Sequence, residues 1–415
     1  MRKVPKLRFK EFSGEWEENK LEELTTYVDY RGKTPEKVER GILLVTAKNI
    51  KMGYIDYNIS KEYVAKENYD EIMRRGKVKK GEVLLTTEAP LGNVAQIDDE
   101  NIALAQRVIK FAGISLKIDN SFLKYRFITE KFQTELKNKA IGTTVLGIQG
   151  KVLHKLLIKY PLLQEQEKIA NFLSSVDKKI SLTEEKLELF REYKKGVMQK
   201  IFSQELRFKD SNGNDYPGWK EEKLKNLSKI ITKQTGFDYS STIKPSLITE
   251  RKPNTLPFIQ NKDFKGKYIN YNTDFYIPES IQNKFLKITL NEKCILITIS
   301  GNIGNIGLFD YKELAFIGGA VGVIKLKNIS MLEYIYYYLI SDKCQRKIIS
   351  NEKTSAHKNI TIEDIRELIV FLPCYEEQEK IADFLSSIDS KIESIEKELD
   401  GLKEFKKGLL QQMFV

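Results

Sequence analysis

The 415-residue sequence has few of the residues that build disulfide frameworks and metal sites. Its only cysteines are Cys294, Cys344 and Cys374, all in the second half, and its only histidines are His154 and His357. Three cysteines without counterparts in the first half argue against a disulfide framework, and two histidines argue against a His-rich metal site. We therefore interpret the cysteines as core thiols and predict no metal ligands.

Long hydrophobic runs are also missing. No apolar stretch approaches the roughly 18 to 20 residues that a helix needs to span a bilayer. Residues 1–5 lack the apolar segment of a signal peptide. We therefore predict a cytoplasmic protein that has no membrane partner.

The sequence also lacks the motifs of nucleotide-dependent enzymes. It has no GxxxxGK[ST] loop for ATP, no GxGxxG for a nucleotide cofactor, and no Asn or Asp followed by Pro-Pro and an aromatic residue. Its carboxylates lie mainly on predicted helix surfaces, where solubility and ion pairing are the default roles. We predict no catalytic residues and no cofactor in this chain.

What the sequence does have is an internal repeat. Residues 164–202 align with 376–414 at an offset of 212, with 21 identities in 39 positions. A short signature, Leu-Arg-Phe-Lys, opens each copy at 7–10 and again at 206–209. The chain is therefore predicted to be two copies of one unit.

Each repeated segment carries apolar residues at alternating spacings of four and three, which is the pattern of a coiled-coil seam. Two matching seams in one chain favour pairing with each other, and two-fold symmetry makes the helices antiparallel. The predicted helix-pairing residues are Ile169, Leu173, Val176, Ile180, Leu187, Phe190, Val197, Ile381, Leu385, Ile388, Ile392, Ile395, Leu399, Leu402 and Leu409. Lys194 and Lys406 interrupt both seams at the same place.

The repeat predicts a circular, pseudo-two-fold α+β protein in which two globular domains are separated by two long antiparallel helices. The predicted boundaries are 1–163 for the first globular domain, 164–203 for the first spacer helix, 204–375 for the second globular domain and 376–415 for the second spacer helix. By symmetry Leu7 is expected near Phe414. Within the domains, strands are predicted at 81–87 and 294–299, turns at 92–93 and 304–305, and helices at 121–138 and 330–349.

Charge divides unevenly along the chain. The net charge is +8 for 1–163, +1 for 164–202, +6 for 203–375 and −4 for 376–415. Basic domains with near-neutral or acidic helices are typical of domains that bind a polyanion and helices that bind protein. Double-stranded DNA is therefore a predicted partner.

DNA recognition needs Arg, Asn or Gln for base edges and Lys, Arg, Ser or Thr for phosphates. The candidate DNA-binding residues of the first domain are Arg31, Lys33, Thr34, Lys48, Asn49, Arg74, Arg75, Lys77, Gln106, Arg107, Thr143 and Thr144. Those of the second domain are Lys233, Gln234, Lys262, Asn302, Asn305, Thr354, Ser355, His357, Lys358 and Asn359.

The repeated helix openings carry a family resemblance. Pro161 and Pro373 precede Glu-Gln-Glu-Lys-Ile-Ala at 165–170 and 377–382, and Phe-Leu follows at 172–173 and 384–385. Over essentially its whole length the chain resembles the specificity subunit of type I restriction-modification systems. It departs from the family pattern little, although Cys374 replaces an apolar residue or proline.

The resemblance implies a non-catalytic subunit that reads a bipartite, asymmetric DNA target, with one half-site per recognition domain. It also implies two modification subunits that bind S-adenosylmethionine and methylate adenine, and restriction subunits that use ATP and Mg²⁺. An antiparallel strut would present the domains in inverted orientation, so one adenine on each strand would be flipped out for methylation. Strut length would set the spacer at around one duplex turn.

Two other functions stay open at this point. The chain could be a non-catalytic coiled-coil adaptor whose basic domains bind acidic proteins. It could also be a self-sufficient nuclease or methyltransferase with unrecognised motifs. Salt-sensitive, sequence-selective binding to duplex DNA would exclude the adaptor, and turnover by the isolated chain would be needed to support the enzyme.

Overall fold

The computed structural model of the chain describes residues 4–30, 35–350 and 359–415. The chain forms two compact units, one of Met1–Glu185 with Glu396–Val415 and one of Lys186–Ile395. We call them unit 1 and unit 2. Because the units follow packing, each contains one globular part and a portion of both long helices, whereas the predicted domain boundaries follow secondary structure.

Unit 1 is a mixed structure of short strands and helices, as an α+β protein should be. Its strands are β1 (Glu17–Lys20), β2 (Thr25–Asp29), β3 (Ile42–Val45), β4 (Tyr63–Val64), β5 (Val83–Thr87), β6 (Leu91–Gln96), β7 (Ile102–Leu104), β8 (Val108–Gly113) and β9 (Leu157–Tyr160). Its helices are α1 (Leu21–Leu24), α2 (Tyr69–Ile72), α3 (Asn120–Ile128), α4 (Glu130–Asn138) and α5 (Gly150–Leu153), followed by the long α6 (Leu163–Phe202), which continues into unit 2. A 3-10 turn covers Lys66–Asn68.

Unit 2 repeats this order of elements. Its strands are β10 (Lys220–Lys223), β11 (Ser228–Lys233), β12 (Thr255–Ile259), β13 (Tyr276–Pro278), β14 (Thr289–Leu290), β15 (Cys294–Thr298), β16 (Ile306–Phe309), β17 (Ala315–Ile317), β18 (Val321–Leu326) and β19 (Ile369–Leu372). Its helices are α7 (Leu224–Leu227), α8 (Gly236–Asp238), α9 (Glu279–Gln282), α10 (Leu332–Ile340), α11 (Asp342–Ser350), α12 (Ile362–Arg366) and the long α13 (Tyr375–Gln412), which ends in unit 1. Shorter turns are the π turn Tyr239–Ile243 and the 3-10 turns Lys244–Ser246, Asn261–Asp263, Leu286–Ile288 and Ile329–Met331.

The sheets of the two units correspond, except that the second sheet of unit 2 has one additional strand, β14. A four-stranded antiparallel sheet has the order β2-β8-β5-β6 in unit 1 and β11-β18-β15-β16 in unit 2. A second sheet has the order β4-β3-β7 in unit 1 and β13-β12-β17-β14 in unit 2. The central strands β5 and β15 are buried along their whole length, which explains why both read as continuous apolar runs.

Two expectations about local structure need correction. Each predicted helix of the globular parts is a pair of helices, because Thr129 and Ser341 leave the helix with ψ near 140° and start a second one. The predicted turn at 92–93 lies inside β6, where Gly92 has φ +88°. A Cβ there would come within 2.5 Å of Gln133 Oε1 and 3.1 Å of Leu136, so only glycine lets α4 pack this closely on the sheet.

The long helices run antiparallel within each unit. In unit 1, ion pairs join Asp177 to Lys406 at 2.6 Å and Glu184 to Lys403 at 2.7 Å, so numbers rise along α6 as they fall along α13. In unit 2, Lys194 pairs with the carboxylate of Asp389. The predicted antiparallel pairing is therefore confirmed inside each unit.

None of the fifteen predicted helix-pairing residues is exposed. Near the helix ends, however, the seam belongs to the core of a globular part, because Ile169 and Leu173 share a cluster with Trp16 in unit 1. In unit 2, Ile381 and Leu385 share a cluster with Tyr334. The seam thus anchors each helix to a domain as well as to its partner helix.

The chain ends meet where symmetry predicts. Leu7 N donates to Gln412 O at 2.9 Å in unit 1, and Leu206 N donates to Lys200 O at 3.0 Å in unit 2. Lys200 and Gln412 are equivalent positions of the repeat, because they are 212 residues apart. The N-terminal signature therefore contacts the end of α13 in the same way as its copy contacts the end of α6. The expected position of the N-terminal signature beside the C-terminus is confirmed.

Two of the three cysteines, Cys294 and Cys344, lie in the core as predicted. Cys294 and Cys344 are buried and Cys374 is half-buried, and all three are free thiols. Burial raises the pKa of both the Cys294 and the Cys344 thiol to about 12. Neither thiol is therefore a reactive thiolate at neutral pH.

Candidate nucleic-acid interface

Each unit has a cleft where two parallel strands end. In unit 1 β3 pairs in parallel with β7, and in unit 2 β12 pairs in parallel with β17. The carboxyl ends of parallel strands meet at one edge of a sheet, where ligands commonly bind. The loops that leave these strands enclose cavities of about 220 Å³ in unit 1 and about 590 Å³ in unit 2.

Three predicted DNA-contacting residues line the unit 1 cleft, namely Lys48, Gln106 and Arg107. Lys48 follows β3 in sequence, whereas Gln106 and Arg107 follow β7. Lys48 and Arg107 are exposed and Gln106 is half-buried. The fold therefore brings two cations and an amide, which are the groups that contact phosphates and base edges, to one opening.

The unit 2 cleft also collects three predicted residues, Lys233, Gln234 and Lys262. Lys233 and Lys262 are exposed. Lys262 follows β12 as Lys48 follows β3, and its ammonium forms an ion pair with Asp274. The two clefts thus present a lysine at the same position of the fold.

Sequence reasoning missed two residues of the unit 2 cleft, Gln260 and Asn261. Asn261 Nδ2 donates to Ser300 O at 2.7 Å, whereas its Oδ1 is buried without a hydrogen-bond partner among the described residues. Their signal was their position directly after the buried strand β12. That signal becomes useful only once β12 is known to pair in parallel with β17.

Asn49 lies in the loop after β3, and its role in DNA binding stays a prediction. Its side chain is fully buried, and its Oδ1 accepts from the backbone N–H and the hydroxyl of Thr46 at 3.0 and 2.9 Å. Its Nδ2 donates to the carbonyls of Asp56 and Ser60 at 3.0 and 3.1 Å. These hydrogen bonds hold the loop after β3 in its fold.

Gln234 is also buried, since only 3% of it is exposed and its Nε2 donates to Ile317 O, and its role in DNA binding stays a prediction. It forms the floor of the unit 2 cleft. Asp263 occupies the position of Asn49 in this unit and accepts from Gln260 N at 2.7 Å. Burial raises the pKa of the Asp263 carboxyl, although that hydrogen bond opposes the rise.

Other predicted residues lie outside the lining of the clefts. Arg74, Arg75 and Lys77 are exposed, and they follow α2. Arg75 Nη1 donates to Asp29 O at 2.8 Å, and Lys77 pairs with Asp70 at 2.6 Å. These residues contribute positive charge to unit 1, and their role in DNA binding stays a prediction.

One described residue at the end of each predicted polar loop forms a bridge to a residue just after β5 or β15. Thr143 and Thr144 are exposed in the loop 141–147, and Gly147 bridges to Glu88. In unit 2, the exposed Asn359 bridges to Ser300, which lines the cleft. Asn302 is exposed and Asn305 is half-buried on the neighbouring turn.

Seven predicted residues lie outside the part of the chain that the structure describes. They are Arg31, Lys33, Thr34, Thr354, Ser355, His357 and Lys358.

Within residues 4–30, 35–350 and 359–415, no group of three or more His, Cys, Asp or Glu side chains could hold a metal ion. No helix in these ranges is both long enough and apolar enough to cross a bilayer.

The sequence model of the family described as "Type I restriction modification DNA specificity domain" matches residues 13–189 and 216–404. The chain is 25% identical over 422 aligned residues to the type I restriction enzyme MjaVIII specificity subunit of Methanocaldococcus jannaschii, covering 97% of this chain and 94% of that protein. It is 22% identical to the type I restriction enzyme EcoBI specificity subunit of Escherichia coli, covering 73% of this chain and 65% of that one.

Solved structures share the fold. The crystal structure of a type I restriction-modification S subunit from M. genitalium matches with a TM-score of 0.61 at 18% identity, covering 99% of both chains. A chain from a type I restriction-modification complex matches with a TM-score of 0.56 at 18% identity, covering 96% of this chain and 97% of that one. Identity this low supports the fold alone.

Proposed function

The chain belongs to the type I restriction-modification DNA specificity family, and we propose that its two clefts each read one half of a bipartite, asymmetric DNA target. The observation that carries the proposal is the placement of Lys48, Gln106 and Arg107 at one opening, with Lys233 and Lys262 at the equivalent opening. The lysines would bind phosphates, and the amide and guanidinium groups would contact bases. The chain would have no catalytic residue of its own.

The chemistry would come from partner subunits. Two modification subunits that bind S-adenosylmethionine would methylate adenine, and restriction subunits would use ATP and Mg²⁺. This chain's contribution would be to hold DNA so that one adenine per strand can be flipped into a methyltransferase. We expect the assembly to work in the cytoplasm.

A helix face kept in both copies supports two identical partners. Gly196 and Gly408 are equivalent positions of the repeat, 212 residues apart, and each follows a seam lysine by two positions. Two positions are about 200° around a helix, so each glycine lies on the side of its helix away from the seam lysine. A Cβ at Gly196 would meet nothing within 4 Å, and one at Gly408 would meet only Gln412 Nε2 at 3.9 Å. Glycine inside a helix is roughly 1 kcal/mol less favourable than alanine. No close contact within the described chain requires a glycine at either position, so packing in this chain does not explain why both copies have one.

The surroundings of both glycines are repeated as well. An aromatic residue stands half-exposed beside each, Tyr193 at 51% and Phe405 at 52%. The exposed charged pairs kept identical are Glu192 with Glu404 and Lys195 with Lys407. We propose that a methyltransferase subunit packs closely on each of these two faces, because a surface that occurs twice suits a partner that binds twice.

The recognition proposal is tested by mapping methylated adenines in DNA from cells that express this chain with its modification subunit. We expect one motif split into two parts, with one methyl-adenine on each strand. Exchanging residues 1–163 for the first domain of another family member should change one half of that motif, and exchanging 204–375 should change the other. A change in both halves after a single exchange would contradict independent reading.

The helices are tested as a ruler by inserting four residues next to Thr183. Such an insertion lengthens α6 by about 6 Å, so the preferred spacer should change by about a base pair or two while both half-sites stay the same. An unchanged spacer would show that the helices do not set the distance.

The partner surface is tested with Gly196→Trp, Gly408→Trp and the double variant. Native mass spectrometry of the complex should show one methyltransferase subunit with each single variant and none with the double variant. Ser181→Trp is the matched control, because Ser181 is exposed on the same helix but is replaced by Glu393 in the second copy. Two bound subunits on the double variant would contradict the proposed face.

A further inference from the structure

Arg107 has a backbone conformation that an arginine does not favour. It stands in the turn between β7 and β8 with φ +73°, and its carbonyl accepts from Thr87 N at 2.9 Å. The left-handed region is unfavourable for an L-residue with a side chain, whereas glycine occupies it freely. The hydrogen bond holds the turn in place, so the arginine is kept against this cost.

The equivalent turn of unit 2 dispenses with both the arginine and the left-handed backbone. Ala320 occupies the position of Arg107, since its carbonyl accepts from Ile299 N at 2.9 Å, the counterpart of Thr87 N. Ala320 is outside the left-handed region, and Gly318 and Gly319 precede it. The fold therefore needs no arginine at this turn, and the side chain is the remaining reason to keep it.

The guanidinium lies at the mouth of the unit 1 cleft. Its side chain is 49% exposed, and its Nε lies 3.7 Å from Glu88 Oε2, beyond hydrogen-bond distance. Ala89, which also lines this cleft, has φ +45°. Non-glycine residues held in unfavourable backbone regions cluster at ligand sites. Glu88 thus restrains the arginine loosely, and no other residue in the described ranges accepts from its guanidinium.

An available guanidinium fits one base better than the others. Its two parallel N–H donors match the O6 and N7 acceptors of guanine in the major groove, whereas adenine presents a donor at N6. Lys48, exposed in the same cleft, could bind a neighbouring phosphate and fix the depth of the arginine. Unit 2 has no cation at the position of Arg107.

We propose that Arg107 reads a guanine in the half-site recognised by unit 1, and that the half-site recognised by unit 2 is read without an equivalent arginine. This inference rests on the proposed DNA recognition by each cleft. It names the residue and the base on which specificity of the first half-site depends.

The test uses the complete complex with its modification subunits and duplexes in which each base pair of the target is replaced in turn. Arg107→Gly removes the guanidinium and suits the left-handed backbone, so its thermal midpoint should equal or exceed that of the wild type. Its discrimination at one G·C pair of the first half-site should fall by about 5- to 150-fold. Discrimination throughout the second half-site should be unchanged.

Two further variants make the result specific. Arg107→Lys keeps the charge without the paired donors and should lose most of the same discrimination. Arg74→Gly removes an exposed arginine outside the cleft lining and should weaken binding evenly across all duplexes. Unchanged discrimination in Arg107→Gly, or an equal loss in Arg74→Gly, would overturn the inference. A wild-type complex with no split motif would instead overturn the proposed function.

Discussion

The two units keep the same polar cluster where the long helices pair, yet they differ inside the sheets. In unit 1 Asp177 accepts from Tyr125 at 2.8 Å and pairs with Lys406. In unit 2 Asp389 accepts from Tyr337 at 2.7 Å and pairs with Lys194. Each residue of the first cluster lies 212 positions from its counterpart in the second. In both units the lysine that interrupts the seam of one long helix forms an ion pair with an aspartate of the other long helix.

The sheets show how far the copies have diverged. Lys110 and Glu82 form a buried ion pair at 2.7 Å in unit 1, with side chains only 7% and 8% exposed. Val323 and Cys294 occupy these positions in unit 2, as the registers Leu84↔Lys110 and Leu296↔Val323 indicate. The fold therefore accommodates an ion pair at these two positions in unit 1 and two less polar side chains in unit 2.

The largest expected effect comes from breaking this pair on one side. Glu82→Cys leaves the Lys110 ammonium buried, with Lys77 O as its one remaining acceptor in the described part of the chain, so unit 1 should lose about 3–5 kcal/mol. The double variant Glu82→Cys with Lys110→Val copies unit 2 and should recover most or all of that loss. Calorimetric unfolding of the single and double variants measures both quantities.

A matched control keeps the interpretation clean. Lys37 and Glu62 form a partly exposed ion pair at 2.9 Å in the same unit, and Glu62→Cys should change stability by no more than about 1 kcal/mol. If the Glu82, Lys110 double variant were as unstable as the single variant, the two units would not be interchangeable at this site.

The sequence was sufficient for the repeat, the antiparallel helices and the docking of Leu7, because all three follow from a period that is visible in the residues. It was insufficient for the ligand edge of each unit. Asn49 and Gln234 have the residue types of DNA readers but are buried, and Asn261 went unnoticed. Which polar side chain after a strand points outward depends on the parallel pairing of distant strands, which short-range pattern does not encode.

A second difference between the units lies in their helical layers. Arg126 is 2% exposed, donates to Thr129 Oγ1 at 2.8 Å, and has a buried Nε without a partner in the described ranges. Burial lowers the pKa of its guanidinium to about 10. Tyr338 occupies the equivalent position in unit 2, and its hydroxyl donates to Ile369 O at 2.9 Å. In unit 1 the residue equivalent to Ile369 is Leu157.

Arg126→Tyr should therefore stabilise unit 1 by about 2 kcal/mol, because it removes a buried charge and can donate to the carbonyl of Leu157. The measurement is the thermal midpoint at neutral pH. Arg126→Met is the control, since it removes the charge without supplying a hydroxyl and should gain less. A lower midpoint for Arg126→Tyr would mean that the buried guanidinium has a favourable partner in the folded protein.

The smallest expected effect concerns the two tryptophans. Trp219 Nε1 donates to Glu377 Oε2 at 3.0 Å, whereas the buried Nε1 of Trp16 has no partner among the described residues. Both replacements by phenylalanine lose ring volume, but only Trp219→Phe also loses a hydrogen bond to a carboxylate. Trp219→Phe should therefore cost about 1.5 kcal/mol more than Trp16→Phe.

Calorimetry of the two variants gives this difference directly. Glu377 also accepts from Arg207 at 2.8 and 2.7 Å, as Glu165 accepts from Arg8 at 2.9 and 2.7 Å. Because both units have this arginine–glutamate pair, it does not contribute to the difference in stability between the two variants. The remaining contrast is the indole N–H. Equal losses of stability in the two variants would contradict the prediction. They would show that the hydrogen bond from Trp219 to Glu377 adds no stability beyond that of the Arg207–Glu377 pair.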